Sequence, residues 1–106
     1  MAKLSVVFLQ SPEYLRFELD GRIDATNAYN FSDAVSAAIR DRPENVVVFD
    51  CKKLEYVSSA GLRVFLSLYK RDKRTVKLVN VSREVWNILT VSGFSQIFEV
   101  SGGNEE

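Results

Sequence analysis

The chain has 106 residues, enough for one domain with a single core and too few for two. Fourteen acidic and fourteen basic residues cancel, so no global field draws the molecule to nucleic acid. One cysteine, Cys51, and no histidine exclude an intrachain disulfide and argue against a transition-metal site.

The densest charge run, Lys70-Arg71-Asp72-Lys73-Arg74, holds an acid inside it and reads as the exposed end of a helix rather than a nucleic-acid grip. The first residues, Met1 to Ser5, lead into alternating apolar positions rather than a long apolar run. A cytoplasmic protein without a membrane span is therefore expected.

In chain order, Ser5 to Gln10 is rich in β-branched and aromatic residues and predicts a strand. Ser11-Pro12-Glu13 is a turn. Tyr14 to Leu19 alternates Leu15, Phe17 and Leu19 with Arg16 and Glu18, the pattern of a half-buried strand closing a hairpin. Asp20 to Asp24 is expected to leave that strand, with Gly21 supplying backbone freedom. Ala28, Phe31, Val35, Ala38 and Ile39 recur at helical spacing; Asp24 or Thr26 is the candidate cap, and Pro43 bars continuation.

Val46 to Phe49 is a continuous apolar run ending at Asp50, the mark of a central parallel strand covered on both faces. A loop through Leu54 and Tyr56 then leads to a second helix with a core stripe of Leu62, Phe65, Leu66 and Tyr69. Arg63, Ser67, Lys70 and Arg74 take its outer face. Val76 to Asn80 is a short strand. Ser82 caps a third helix with Val85, Ile88 and Leu89 buried, and Trp86 beside them reads as a packing residue or a partly exposed partner contact. Gly93 suits the left-handed position after that helix. Ile97 to Val100 is the last strand. The domain is thus expected over residues 1–100, with a flexible polar tail over 101–106. The order β-β-α-β-α-β-α-β implies right-handed crossovers and a largely parallel sheet with an antiparallel edge.

Functional groups in such sheets gather where strands end and helices begin. Three loops are placed to meet there: Asp20 to Asp24, Asp50 to Ser59, and Asn80 to Ser82. At Ser58-Ser59-Ala60-Gly61-Leu62 two hydroxyls stand at a helix start, where unpaired N–H groups and a partial positive charge can receive a phosphate. The simpler reading makes Ser58 or Ser59 a cap and Ala60-Gly61 a close-packing step. A serine nucleophile lacks a histidine base, so no enzyme is expected. Asp20, Asp24 and Asp50 form a conceivable Mg2+ triad, but a turn, a helix start and a strand end explain them better.

Leu19-Asp20-Gly21-Arg22-Ile23-Asp24, Val46 to Asp50, Val57 to Arg63, Val76 to Ser82 and Leu89 to Phe94 together resemble the STAS domain family in order and spacing, over roughly Leu4 to Val100. The resemblance implies an α/β fold: a four- to five-strand mixed sheet with three or four helices mainly on one face. Free-standing members of similar length are often anti-sigma-factor antagonists. That type implies a serine-kinase anti-sigma factor of the GHKL type as partner, bound by the unphosphorylated antagonist so that a sigma factor is released. It implies a PP2C-type phosphatase that reverses the phosphorylation.

Aligned on Gly61-Leu62, the resemblance makes Ser59 the phosphoacceptor, with Ser58 as the alternative. Ser58 stands where the family pattern has Asp. Asp24, Ser58, Ser59, Ala60, Gly61 and Arg63 become the partner face, with no cofactor or metal. Other STAS roles are an adaptor subunit of a transporter or stress-signalling complex, or a small-ligand sensor.

Overall fold

A computed structural model describes residues 3–102. Five strands, β1 (Leu4–Gln10), β2 (Leu15–Ile23), β3 (Val46–Val57), β4 (Thr75–Val81) and β5 (Glu99–Gly102), form one sheet in that spatial order. β1 and β2 are antiparallel and the other neighbours parallel. The crossovers carry α1 (Ala28–Ile39), α2 (Ser59–Lys70) and α3 (Arg83–Val91). Every crossover advances one strand in the same direction, so right-handed connections put all three helices on one face.

The core lies between that face and the helices. Phe49, in the middle of β3, is its hub: the Phe17, Phe31 and Phe65 rings stand 5.3, 6.0 and 4.8 Å from it, centroid to centroid. Those four rings come from two strands and two helices and are all buried. Offset and edge-on aromatic contacts of this kind add to the area each ring buries.

The opposite sheet face carries no helix. Val48 is nonetheless buried, and its cross-strand neighbours on that face are Arg16 and Lys77, whose long apolar stems can cover a residue between them. The apolar run Val46 to Phe49 therefore does not report cover by helices on both faces.

β2 does not end at Leu19 but continues to Ile23, beyond the expected exit at Asp20. Gly21 makes this possible: at φ +121° it lets Arg22 N–H donate to the Lys3 carbonyl at 2.9 Å, and a Cβ there would lie 2.1 Å from that oxygen. The segment through Leu54 and Tyr56 is likewise strand rather than loop. β3 runs to Val57 because the β2 extension gives it a partner, pairing Asp20 with Lys53 and Ile23 with Val57.

On α2 the inner stripe is Leu62, Phe65 and Leu68; Tyr69 is 45% exposed and Leu66 only partly buried. Arg74 lies beyond the helix. Its guanidinium donates to the carbonyls of Glu44 and Arg42 at 2.9 Å and of Ile39 at 3.4 Å, tying together the chain ends after α1 and α2. Ser82 accepts from Val85 N–H at 3.2 Å and caps α3, and Gly93 takes the left-handed φ of 85° that follows it. Trp86 is 40% exposed beside the α3 stripe. A 3-10 turn, Phe94–Gln96, delays the last strand to Glu99, so Ser101 and Gly102 belong to β5 rather than to the tail. Residues 103–106 of that tail lie outside the described residues.

On the helix-free face Asp50 joins three strands. Its Oδ2 accepts from Arg16 of β2 at 2.6 Å, and its Oδ1 from Asn80 of β4 at 3.0 Å and from Lys52 N–H at 3.0 Å. Burial opposes ionisation of this carboxyl, but the hydrogen bonds and the Arg16 charge outweigh it, and its pKa is lowered. A carboxyl depressed in the folded state stabilises the fold above its unfolded pKa of about 3.9, and that contribution is lost as pH falls through the folded value. Urea titrations between about pH 3 and pH 7 are expected to show stability falling toward acid, with a shallower fall in Asp50→Asn.

Candidate functional site

The two serines at the start of α2 are structurally unlike. Ser58 is the N-cap, in extended geometry, and its hydroxyl accepts from Gly61 N–H at 3.2 Å. Its own N–H donates to the Ile23 carbonyl at 2.8 Å and its carbonyl accepts from Leu62 N–H at 2.9 Å. All three polar groups of Ser58 are thus used, the N–H in holding the helix start to the end of β2 and the hydroxyl and carbonyl in closing the first turn of α2. Ser59 is the first helical residue and is exposed; no hydrogen bond among the described residues engages its hydroxyl.

Gly61 sets how closely the helix start approaches the sheet. A Cβ at this position would stand 2.7 Å from Ile23 Cγ2 and 2.7 Å from Val57 Cγ2. Both neighbours are buried, β-branched and held in strands, so neither can swing away. Ala60 packs partly against the core, and Arg63 is exposed one turn after Ser59.

Asp24 directly follows Ile23 and so reaches the same corner. Its carboxylate accepts from Thr26 Oγ1 at 2.6 Å, from Thr26 N–H at 2.9 Å and from Asn27 N–H at 3.3 Å. Asn27 returns the contact, accepting from Asp24 N–H at 2.9 Å and donating to the Arg22 carbonyl at 2.9 Å. The Thr26 hydroxyl is the main cause holding the Asp24 carboxyl below its usual range. Asp24 therefore shapes the turn before α1, while the N-cap position of α1 falls to Asn27 rather than to Asp24 or Thr26, with no side-chain cap bond.

Of the three loops expected to meet, the first two do so through the Ser58–Ile23 bond. The third meets the second only at its beginning, where Asn80 donates to Asp50, and not at the serine corner, for Ser82 caps α3. Asp24 is closed on its own turn and Asp50 on Arg16 and Asn80, so the three aspartates do not converge. No cluster of three or more metal-ligating side chains occurs among the described residues. Cys51 is buried, and burial first, with the Asp50 charge second, pushes its thiol up to about 12, out of reach of nucleophilic chemistry near neutral pH.

Sequence reasoning missed Tyr29. It is 75% exposed on α1 and lines a shallow groove with Ala60 and Arg63. Its signal was an aromatic residue placed off the apolar stripe, next to Ala28.

A mixed sheet with helices on one face and a serine-capped helix held on the end of β2 is a STAS-type α/β architecture. Residues 5–105 match the STAS domain, and the chain belongs to that family. It is 33% identical over 90 residues to a Bordetella bronchiseptica protein named "Putative anti-sigma factor antagonist BtrV", covering 82% of this chain and 77% of that one. Its fold is similar to an anti-sigma factor antagonist from Mycobacterium paratuberculosis, with a TM-score of 0.82 at 18% identity over 93% of this chain and 86% of the other. It is also similar to the anti-sigma factor antagonist SpoIIAA in its unphosphorylated form, with a TM-score of 0.73 at 17% identity over 92% and 87%.

The unlike roles of the serines give unlike costs. Ser58→Ala is expected to lose about 1 kcal/mol of stability with the cap, and Ser59→Ala to stay within about 0.5 kcal/mol of the parent; chemical denaturation measures both. Gly61→Ala gains helix propensity but overpacks Ile23 and Val57, and a net loss of about 1–3 kcal/mol is expected in the same assay.

Proposed function

We propose that this chain is an anti-sigma-factor antagonist that works by partner switching in the cytoplasm, without catalytic activity of its own. Unphosphorylated, it binds an anti-sigma factor that is also a serine kinase of the GHKL type, and a sigma factor is released. Phosphorylation of Ser59 breaks the complex, and a PP2C-type phosphatase restores it.

The observation that carries this reading is the contrast at the helix start. Ser58 spends its hydroxyl on the cap, whereas Ser59 offers an exposed hydroxyl beside it. The relative named above as an anti-sigma factor antagonist supports the same reading. A phosphate on Ser59 adds a charge of about −1.5 to −2 near neutral pH, at the positive end of α2. The free domain tolerates that charge there, but a closed interface must strip its water and place it against the partner. The change is local, and no rearrangement of the fold is required.

The partner face consists of Asp24, Ser58, Ser59, Ala60, Gly61 and Arg63. Asp24 and Ser58 shape it, Ala60 and Gly61 keep it low, and Ser59 and Arg63 project from it. No helix among the described residues is long and apolar enough to cross a membrane, which is compatible with this location.

Incubation with ATP and the ATP-binding serine kinases of the same genome, followed by intact-mass measurement and site mapping, is the direct test. One phosphate on Ser59, absent in Ser59→Ala, is expected. Ser59→Glu is expected to bind the kinase about a hundredfold more weakly than the parent, or about 2.7 kcal/mol. If no kinase modifies the protein and Ser59→Glu binds as the parent does, the switch reading is wrong and a constitutive adaptor takes its place.

A further inference from the structure

We propose that the chain self-associates through β1, joining two sheets edge to edge about a two-fold axis. Edge strands usually carry charges, prolines or bulges that prevent such pairing. β1 has none of these within its own sequence: Leu4-Ser5-Val6-Val7-Phe8-Leu9-Gln10 is uncharged and pairs with β2 without a register shift. The charges that touch it, Arg42 and Glu44, engage the Phe8 ring and the Gln10 side chain rather than its outward N–H and C=O groups. Among the described residues it has one neighbour. The opposite edge differs, for β5 has four residues and begins at Glu99.

The phase of the β1–β2 ladder fixes which groups are free. Arg22 N–H donates to Lys3 O, and Ser11 N–H donates to Tyr14 O, at the two ends of the ladder. Lys3 and Ser11 therefore bond inward, and by alternation so do Ser5, Val7 and Leu9. Leu4, Val6, Phe8 and Gln10 point their four N–H and four C=O groups away from the sheet.

A second copy running antiparallel, centred on Val7, uses every one of these groups. Val6 exchanges bonds with the second copy's Phe8 and Leu4 with its Gln10, each pair occurring twice about the axis. Val7 meets its own equivalent in the closely spaced, non-hydrogen-bonded pair. On the helix-free face Val7 and Leu9 are 46% and 45% exposed, and this pairing covers them, with Leu9 opposite the second Ser5.

The flanks also favour a second copy. Lys3 lies before one end of β1 and Glu13 beyond the other, both exposed. Antiparallel pairing brings each Lys3 toward the Glu13 of the second copy, and no charge is buried between the strands. Such a contact is isologous and closes at two subunits. α2 follows β3, two strands in from this edge, so Ser59 stays accessible and the inference does not depend on the partner-switching reading.

A seven-residue strand pair buries less than a standard stable interface, so a weak dimer is expected, with a dissociation constant of about 100 μM. Sedimentation velocity over a concentration series, with amide hydrogen exchange at both ends of that series, tests it. The dimer is expected to appear with concentration, and the Leu4, Val6, Phe8 and Gln10 amides to gain protection while Ser5, Val7 and Leu9 are already protected. Val7→Lys and Val7→Glu, on an exposed side chain, are each expected to remain monomeric, and their equal mixture to associate again.

A parent chain that is monomeric to about 1 mM, well above the dissociation constant expected for so small a contact, overturns the inference. So does a dimer whose β1 amides exchange independently of concentration. An undiminished dimer in Val7→Lys overturns it as well.

Discussion

The absence of a side chain at Gly61 fixes the rest of the site. With no Cβ there, the first turn of α2 rests directly on Ile23 and Val57, and Ser58 N–H reaches the Ile23 carbonyl. That contact sets the rotation of the helix. At about 100° per residue, Ser59 lies roughly opposite Gly61. When Gly61, Leu62, Phe65 and Leu68 face the sheet, Ser59 and Arg63 must face solvent. The exposure of the candidate phosphoacceptor is thus a consequence of core packing on the other side of the same turn. A residue larger than glycine at position 61 pushes on the ends of β2 and β3 together, and so on Asp24, which begins where β2 stops.

Where apolar periodicity was clean, the sequence was sufficient. β1, α1, the first half of β3 and the caps Ser82 and Gly93 follow from patterns of one segment at a time. The failures share one cause: two segments a long way apart in the chain settle each other's conformation. The second half of β3 holds Lys52, Lys53 and Glu55, which read locally as loop. It is strand because β2 extends past Gly21 to meet it, and β2 extends because Gly21 can adopt φ +121° against Lys3.

Arg74 failed in the same way, since its partners are carbonyls 30 to 35 positions away. At the site, Ser58 and Ser59 were indistinguishable by residue type. Only the helix boundary decides which hydroxyl is spent on the cap. Tyr29 was missed because an exposed aromatic residue adds nothing to the apolar periodicity, and its one sign is its place off the stripe beside Ala28.

The spatial order of the strands follows their order in the chain, and this separates three surfaces. The helix face holds the core and, at the end of β3, the serine site. The helix-free face is stitched by Asp50 to Arg16 and Asn80, which replaces a second layer of helices with a partly buried polar network. The β1 edge has no further strand beside it among the described residues, and the charges that reach β1, Arg42 and Glu44, do so through the Phe8 ring and the Gln10 side chain. An event at one of these surfaces need not disturb the others, because the sheet between them is held from one side by Phe49 and from the other by Asp50.

Ser58 in place of the family's Asp has a specific electrostatic meaning. Serine and aspartate are comparable caps, so the helix start survives the exchange. Their charges differ. An aspartate cap would stand one residue from a phosphorylated Ser59 and repel it, whereas Ser58 leaves the positive end of α2 to the phosphate alone. Arg63 follows Ser59 by four positions, the spacing at which helical side chains meet, so its guanidinium is placed to pair with a phosphate there. On this reading, phosphorylation does more than add negative charge to the partner face. Under the proposed function it would also draw Arg63 away from the partner, and both effects would weaken the complex.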